Sequence, residues 1–178
     1  EILSDPLNPK RPAGAIQRAV FWLEESPVNI LVSACLLGTP CRYDGTGKLE
    51  PALERLRAQG HTLVPVCPEV LGGLPTPRPP AERQPDGRVV TREGVDVTAE
   101  YRSGAEQALE LARAHGCTLA VLKERSPSCG RGQIYDGTFS HTLVPGSGVA
   151  AQLLEEQGIA VYGESRLDEL ISQLSAEG

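Results

Sequence analysis

Four short apolar runs recur along the chain, VNILVSA (28–34), HTLVPVC (61–67), CTLAVLKE (117–124) and IAVYG (159–163). Each leads through a loop into a stretch of helical character: PALERLRAQG, AEYRSGAEQALELARAHG, SGVAAQLLEEQG and SRLDELISQL. Short β-branched runs bounded by turn residues read as buried strands, and strands separated by helices pair in parallel with the helices covering the sheet. The expected fold is therefore α/β, a doubly wound, mostly parallel sheet with helices on both faces, in a single domain over residues 28–178. Pro51 suits a first helical turn and Gly60 a helix end. A weak strand pair, RVVT (88–91) with VDVT (95–98), is expected to decorate the second insertion, while PEVLGGLPTPRPPAE and RSPSCGRGQIYDGTFSHTLVPG read as loops. Residues 1–27 read as an appendage with a short amphipathic helix around 15–23 ending before Pro27, suited to packing or a partner contact, a homodimer among the options.

Composition narrows the function. Seventeen Lys and Arg against 23 Asp and Glu give a net charge of −6, the wrong sign for extended nucleic-acid binding, although a local basic pocket remains open. No apolar run approaches the roughly 18 residues that span a membrane, and the first residues lack the apolar core of a secretory signal. Five cysteines, an odd number in a chain large enough to need no staples, suit a reducing, cytoplasmic setting. The 19 glycines and 15 prolines belong in shaped loops, where function concentrates.

Three of the cysteines follow three different strands: Cys35 after the first, Cys67 at the end of the second and Cys129 in the loop after the third. In open α/β sheets ligands bind outside the carboxyl ends of the strands, so these thiols are expected to converge. Cys117 starts a strand and belongs at the opposite edge, as a small buried hydrophobe. Cys41 shares a loop with Cys35, at a spacing unlike the close pairs of zinc ribbons or ferredoxins. Soft sulfur donors point to zinc, copper or iron-sulfur, not to magnesium. Zinc would take a fourth ligand from Cys41 or His141; a 4Fe-4S cluster on three cysteines would leave one iron open as a Lewis acid.

Polar candidates surround the thiols. Glu69, just after Cys67-Pro68, could exchange protons. Ser126 and Ser128 flank Pro127 and could hydrogen-bond a cluster sulfur or a substrate. Arg78, stiffened between Pro77 and Pro79, offers a fork to an anion or a carbonyl. Asp44, in the turn sequence CRYDG, and Lys123 complete the expected substrate contacts, and His61 and His115 read as surface residues.

The segments SACLLG with CRYDG, VCPEVLGGLPTPRPPAE, LKERSPSCG with IYDGTF, and PGSGVAAQLLEEQGIAVYGE together resemble the thiouracil desulfurase (TudS-like) family over about Val28 to Glu164. The resemblance implies a Rossmann-like domain with a 4Fe-4S cluster held by three cysteines, matching Cys35, Cys67 and Cys129, and one open iron. It implies removal of sulfur from 2-thiouracil or a related thiolated pyrimidine by net hydrolysis, with Glu69 and Ser126 as a proton-transfer and positioning pair. Many members carry another residue where Cys41 stands, which speaks against Cys41 as a ligand. The acidic charge and single domain favour a free base or nucleoside over tRNA. The competing readings are a zinc-binding structural protein and a metal-free thiol enzyme using Cys35 and Cys41.

Overall fold

A computed structural model describes residues 27–176, so the expected N-terminal appendage lies, Pro27 apart, outside the described residues. The elements run β1 (Asn29–Ser33), α1 (Leu53–Ala58), β2 (Thr62–Val66), α2 (Pro68–Leu71), β3 (Ala81–Arg83), β4 (Val89–Thr91) and α3 (Thr98–Ala114), then β5 (Leu119–Leu122), β6 (Gln133–Tyr135), β7 (Leu143–Pro145), α4 (Val149–Glu156), β8 (Ala160–Gly163) and α5 (Leu167–Ala176). The central sheet has the order β2-β1-β5-β8 and is parallel throughout, with Leu31 opposite Val64 on one side and Ala120 on the other.

Period-two alternation along β1 divides the core. Leu31 packs with Ala108, Leu109 and Ala112 of α3 and Ala151 and Leu154 of α4. Ile30 and Val32 face the other way, onto Leu53 and Leu56 of α1 and Leu167, Leu170 and Ile171 of α5. Both faces are thus covered by helices, as a parallel sheet requires. Truncating a fully buried leucine such as Leu31 to alanine would cost about 2–5 kcal/mol. Pro65, which cannot donate to a ladder, lies in β2, an edge strand.

Three local expectations need correction. β4 pairs along its length with Ala81–Arg83 and meets VDVT only through two backbone hydrogen bonds, Thr91 N to Val95 O and Val97 N to Val89 O, both 2.9 Å. Gly87 at φ 90° and the Asp86 carboxylate, accepting from Arg88 N at 3.0 Å, turn the chain back after β3. Asp96 instead accepts from Thr98 N at 2.9 Å and so draws VDVT into the start of α3, leaving one isolated bridge, Val90 to Asp96. The loop after β5 contains the antiparallel pair β6 and β7, tied at Ile134–Val144. The Pro-rich loop opens with α2, for which Pro68 supplies a preset first turn.

Two close approaches fix the loops that matter. Gly104 of α3 lies against the Pro68 carbonyl and Gly72 against the Glu100 carbonyl, so a Cβ at either position would collide with backbone and lift α2 off α3. At the other loop, Val149 N donates to Pro127 O at 2.9 Å, and Ala150 N and Ala151 N to Ser128 O at 2.9 and 3.0 Å. These otherwise orphaned amides of the first turn of α4 hold the SPSC segment in place.

Candidate active site

The chain runs from β1 outward to β2 and then returns to β5 on the other side of β1, which opens a crevice at the carboxyl ends of β1 and β5. A pocket of about 350 Å³ lies there, lined by Cys35, Cys41, Cys67 and Cys129. Glu69, Arg78, Lys123, Ser126 and Ser128 share its wall. Cys117 packs in the core beneath α3 and α4 and does not line the pocket.

Glu69 is the hub. It is buried, at 8% exposure, and its Oε1 accepts the Ser128 hydroxyl at 3.0 Å. Its Oε2 faces Arg78, at 2.7 Å from Nε and 2.5 Å from Nη2. Burial works against the Arg78 charge, yet the facing carboxylate outweighs it and raises the guanidinium further above its ordinary value. Arg78 also donates to Cys41 O at 2.9 Å, Pro75 O at 3.1 Å and Thr76 Oγ1 at 3.0 Å. Its fork is therefore taken up by the protein and supports Glu69 rather than reaching into the pocket. Ser126 Oγ accepts from Ser128 N at 3.2 Å and Cys129 N at 3.1 Å and lies 3.0 Å from Ser128 Oγ. Because an ionised carboxylate only accepts, Ser128 donates to Glu69 and Ser126 donates to Ser128, giving the chain of hydroxyls one direction.

Three of the four pocket thiols are buried and Cys67 is half-buried. Burial pushes the Cys129 thiol up to about 12, against the opposing pull of Ser33 and of the Ser128 hydroxyl 3.5 Å away. Cys67 is raised by its contact with Cys41 and then by burial, and Cys41 by its contact with Cys35. In the absence of a metal these groups are neutral and costly to ionise. Among the described residues no three Cys, His, Asp or Glu side chains gather closely enough to hold a single metal ion. Soft thiols gathered around one cavity are the donor chemistry that a thiophilic metal group such as an iron-sulfur cluster takes.

Not every expected contact enters the pocket. Asp44 folds back on its own turn, accepting from Thr46 N at 3.1 Å and Thr46 Oγ1 at 2.6 Å, and does not line the cavity. Lys123 borders it, but its ammonium pairs with Glu164. His141 stands exposed at the rim, edge-on to Tyr135 with 5.8 Å between ring centroids. Sequence reasoning missed Tyr101, Glu82 and Ser33. Ser33 was findable as a polar residue at a strand's carboxyl end; Tyr101 and Glu82 carry no local signal. Glu82, buried, accepts from Gly137 N at 3.3 Å and Phe139 N at 3.1 Å and so grips the 136–142 segment against the pocket. Phe139 and His141 there both have φ 58°, and the Arg92 guanidinium lies 5.6 Å from the Phe139 ring centroid.

Residues 30–166 match the family model described as 2-thiouracil desulfurase. The chain is 41% identical over 151 residues to the uncharacterized protein YbbK of Bacillus subtilis (strain 168), a match covering 80% of this chain and 99% of that protein. Among solved structures, one described as the 4Fe-4S-dependent thiouracil desulfidase TudS superposes with a TM-score of 0.77 at 52% identity, covering 84% of this chain and 99% of that one.

Proposed function

The chain belongs to the 2-thiouracil desulfurase family, and on that premise we propose that it removes sulfur from 2-thiouracil or a related thiolated pyrimidine, free base or nucleoside, releasing the oxo compound and sulfide. The observation that carries this reading is the meeting of Cys35, Cys67 and Cys129 with the Glu69–Ser128–Ser126 chain in one pocket. These three cysteines would hold a 4Fe-4S cluster, which supplies a thiophilic Lewis acid at an iron that no cysteine ligates.

The reaction exchanges a carbon-sulfur for a carbon-oxygen double bond: water adds at the ring carbon, sulfide leaves, and no electrons are gained or lost. The chain's own residues handle protons. Glu69, paired with Arg78, takes one proton from the attacking water and passes it to the departing sulfur; the second proton follows the same way as the new hydroxyl becomes the oxo group, so the sulfur leaves as hydrogen sulfide, with Ser128 and Ser126 as hydroxyls between carboxylate and substrate. The low-dielectric wall strengthens these contacts. The pocket also suits a flat ring: of the five Phe, Tyr and Trp side chains among the described residues, Tyr43, Tyr101, Tyr135 and Phe139 line it. No described helix is long and apolar enough to cross a membrane, and free cysteines suit a reducing compartment such as the cytoplasm.

The test is anaerobic purification with iron, labile sulfide and zinc counted per chain, followed by a sulfide-release assay on 2-thiouracil. About four irons and sulfide release, both lost in Cys129→Ala, support the reading. Stoichiometric zinc overturns it, as does absence of sulfide release from protein carrying its irons. Activity that survives Cys129→Ala without metal would favour a thiol pair of Cys35 and Cys41, whose side chains touch.

A further inference from the structure

Tyr101 stands in the second turn of α3 and is only 3% exposed, with its ring packed on Val89 and Val97. Tyr101 nonetheless lines the pocket, with its hydroxyl beside Glu69 and on the side of Cys129. The close hydrogen bonds of Glu69 are already made by Ser128 and Arg78, at 3.0, 2.7 and 2.5 Å. The phenol meets Glu69 more loosely than these three contacts do, so its hydrogen can turn from the carboxylate to a ligand in the pocket. A phenylalanine would fill the same space against Val89 and Val97, so packing alone does not call for the oxygen.

We propose that the Tyr101 hydroxyl binds the ring oxygen that a thiolated oxopyrimidine keeps through the reaction, O4 in the case of 2-thiouracil, and thereby selects oxopyrimidines over rings that lack it. The inference rests on the proposed function. The sulfur of such a ring is a weak hydrogen-bond acceptor and is drawn to the thiol-lined end of the pocket. The oxo group is a strong acceptor displaced from it around the ring, and a neutral phenol can serve it without transferring a proton. A buried donor also rejects an analogue without the matching acceptor far more strongly than an apolar wall rejects a change of size.

The test compares cluster-loaded wild type and Tyr101→Phe under anaerobic conditions, using calorimetric affinities for uracil and for pyrimidin-2-one, which lacks O4. The expected result is that Tyr101→Phe weakens uracil about tenfold and changes pyrimidin-2-one less than about twofold. Equal weakening of both rings, no change in either, or a wild type that binds neither, overturns the proposal. A wild type that prefers uracil through Tyr101 yet releases no sulfide from 2-thiouracil overturns the proposed reaction and leaves the Tyr101 contact standing. The two failures are thereby distinguishable.

Discussion

Ser128 donates its hydroxyl hydrogen to Glu69 Oε1 at 3.0 Å, joining the loop after β5 to the first turn of α2 across 59 residues of sequence. The bond places a proton carrier between the acidic group and the thiol-lined end of the pocket. Ser128→Ala removes one oxygen from a fully buried site, and the expected result is a fall in turnover of about 10²-fold with iron content unchanged. Ser126→Ala should differ, because its oxygen also accepts from Ser128 N and Cys129 N; both turnover and iron retention should fall. Iron analysis beside sulfide-release rates separates the two.

Glu69 and Arg78 form an ion pair whose side chains are 10% and 5% exposed. Removing one partner strands a buried charge, so Arg78→Met should destabilise the protein by about 3–5 kcal/mol. Adding Glu69→Gln should recover most of that loss while abolishing turnover. Urea unfolding of the two variants and wild type checks both statements; an additive double variant would show that the pair does not act as a unit.

The four pocket thiols should not be equivalent. Cys35→Ala, Cys67→Ala and Cys129→Ala are each expected to lose the iron, whereas Cys41→Ala should keep about four irons per chain. Iron and labile-sulfide counts after anaerobic reconstitution decide this, and loss of iron in Cys41→Ala would make it a ligand.

Burial raises the Cys129 thiol from 9.0 to about 12, and Cys67 and Cys41 move in the same direction. In the unfolded chain these thiols ionise from about pH 9, while in the folded, metal-free protein they hold their protons. The unfolded state therefore binds fewer protons above that pH, and the stability of metal-free protein should fall as pH rises from about 9 to about 12. Denaturation midpoints at pH 8 and pH 10 should drop further for wild type than for Cys129→Ala. Metal uptake, which needs thiolates, should improve over the same range.

Glu82 holds two backbone amides of the 136–142 segment with one carboxylate oxygen. Glu82→Gln puts an amide in place of one oxygen and weakens a charge-assisted grip worth about 1.5–3 kcal/mol. The expected outcome is a KM for 2-thiouracil raised several-fold with kcat little changed, read from steady-state sulfide release.

Much of this arrangement is legible in the linear chain. The alternation of β-branched runs with helical stretches dictates a parallel sheet covered on both faces, and position after a strand places Cys35, Cys67 and Cys129 at one edge. Those are local periods and end effects, which neighbouring residues settle among themselves. Contacts between loops have no such period. Whether Asp44 faces a pocket or closes on Thr46, whether β4 pairs along its length with Ala81–Arg83 or with VDVT, and whether Arg78 serves a substrate or Glu69 are choices among competing partners close by in the chain, between which no periodicity decides. Tyr101 and Glu82 enter the pocket only because Gly72 and Gly104 let α2 and α3 touch backbone to backbone and because the β3–β4 pair carries Glu82 over the cavity. The sequence by itself determined the scaffold and the donor chemistry, through local propensity and strand order. Tertiary packing alone decided which side chains meet there, because burial lets each polar group keep only the partners that the assembled backbone brings within reach.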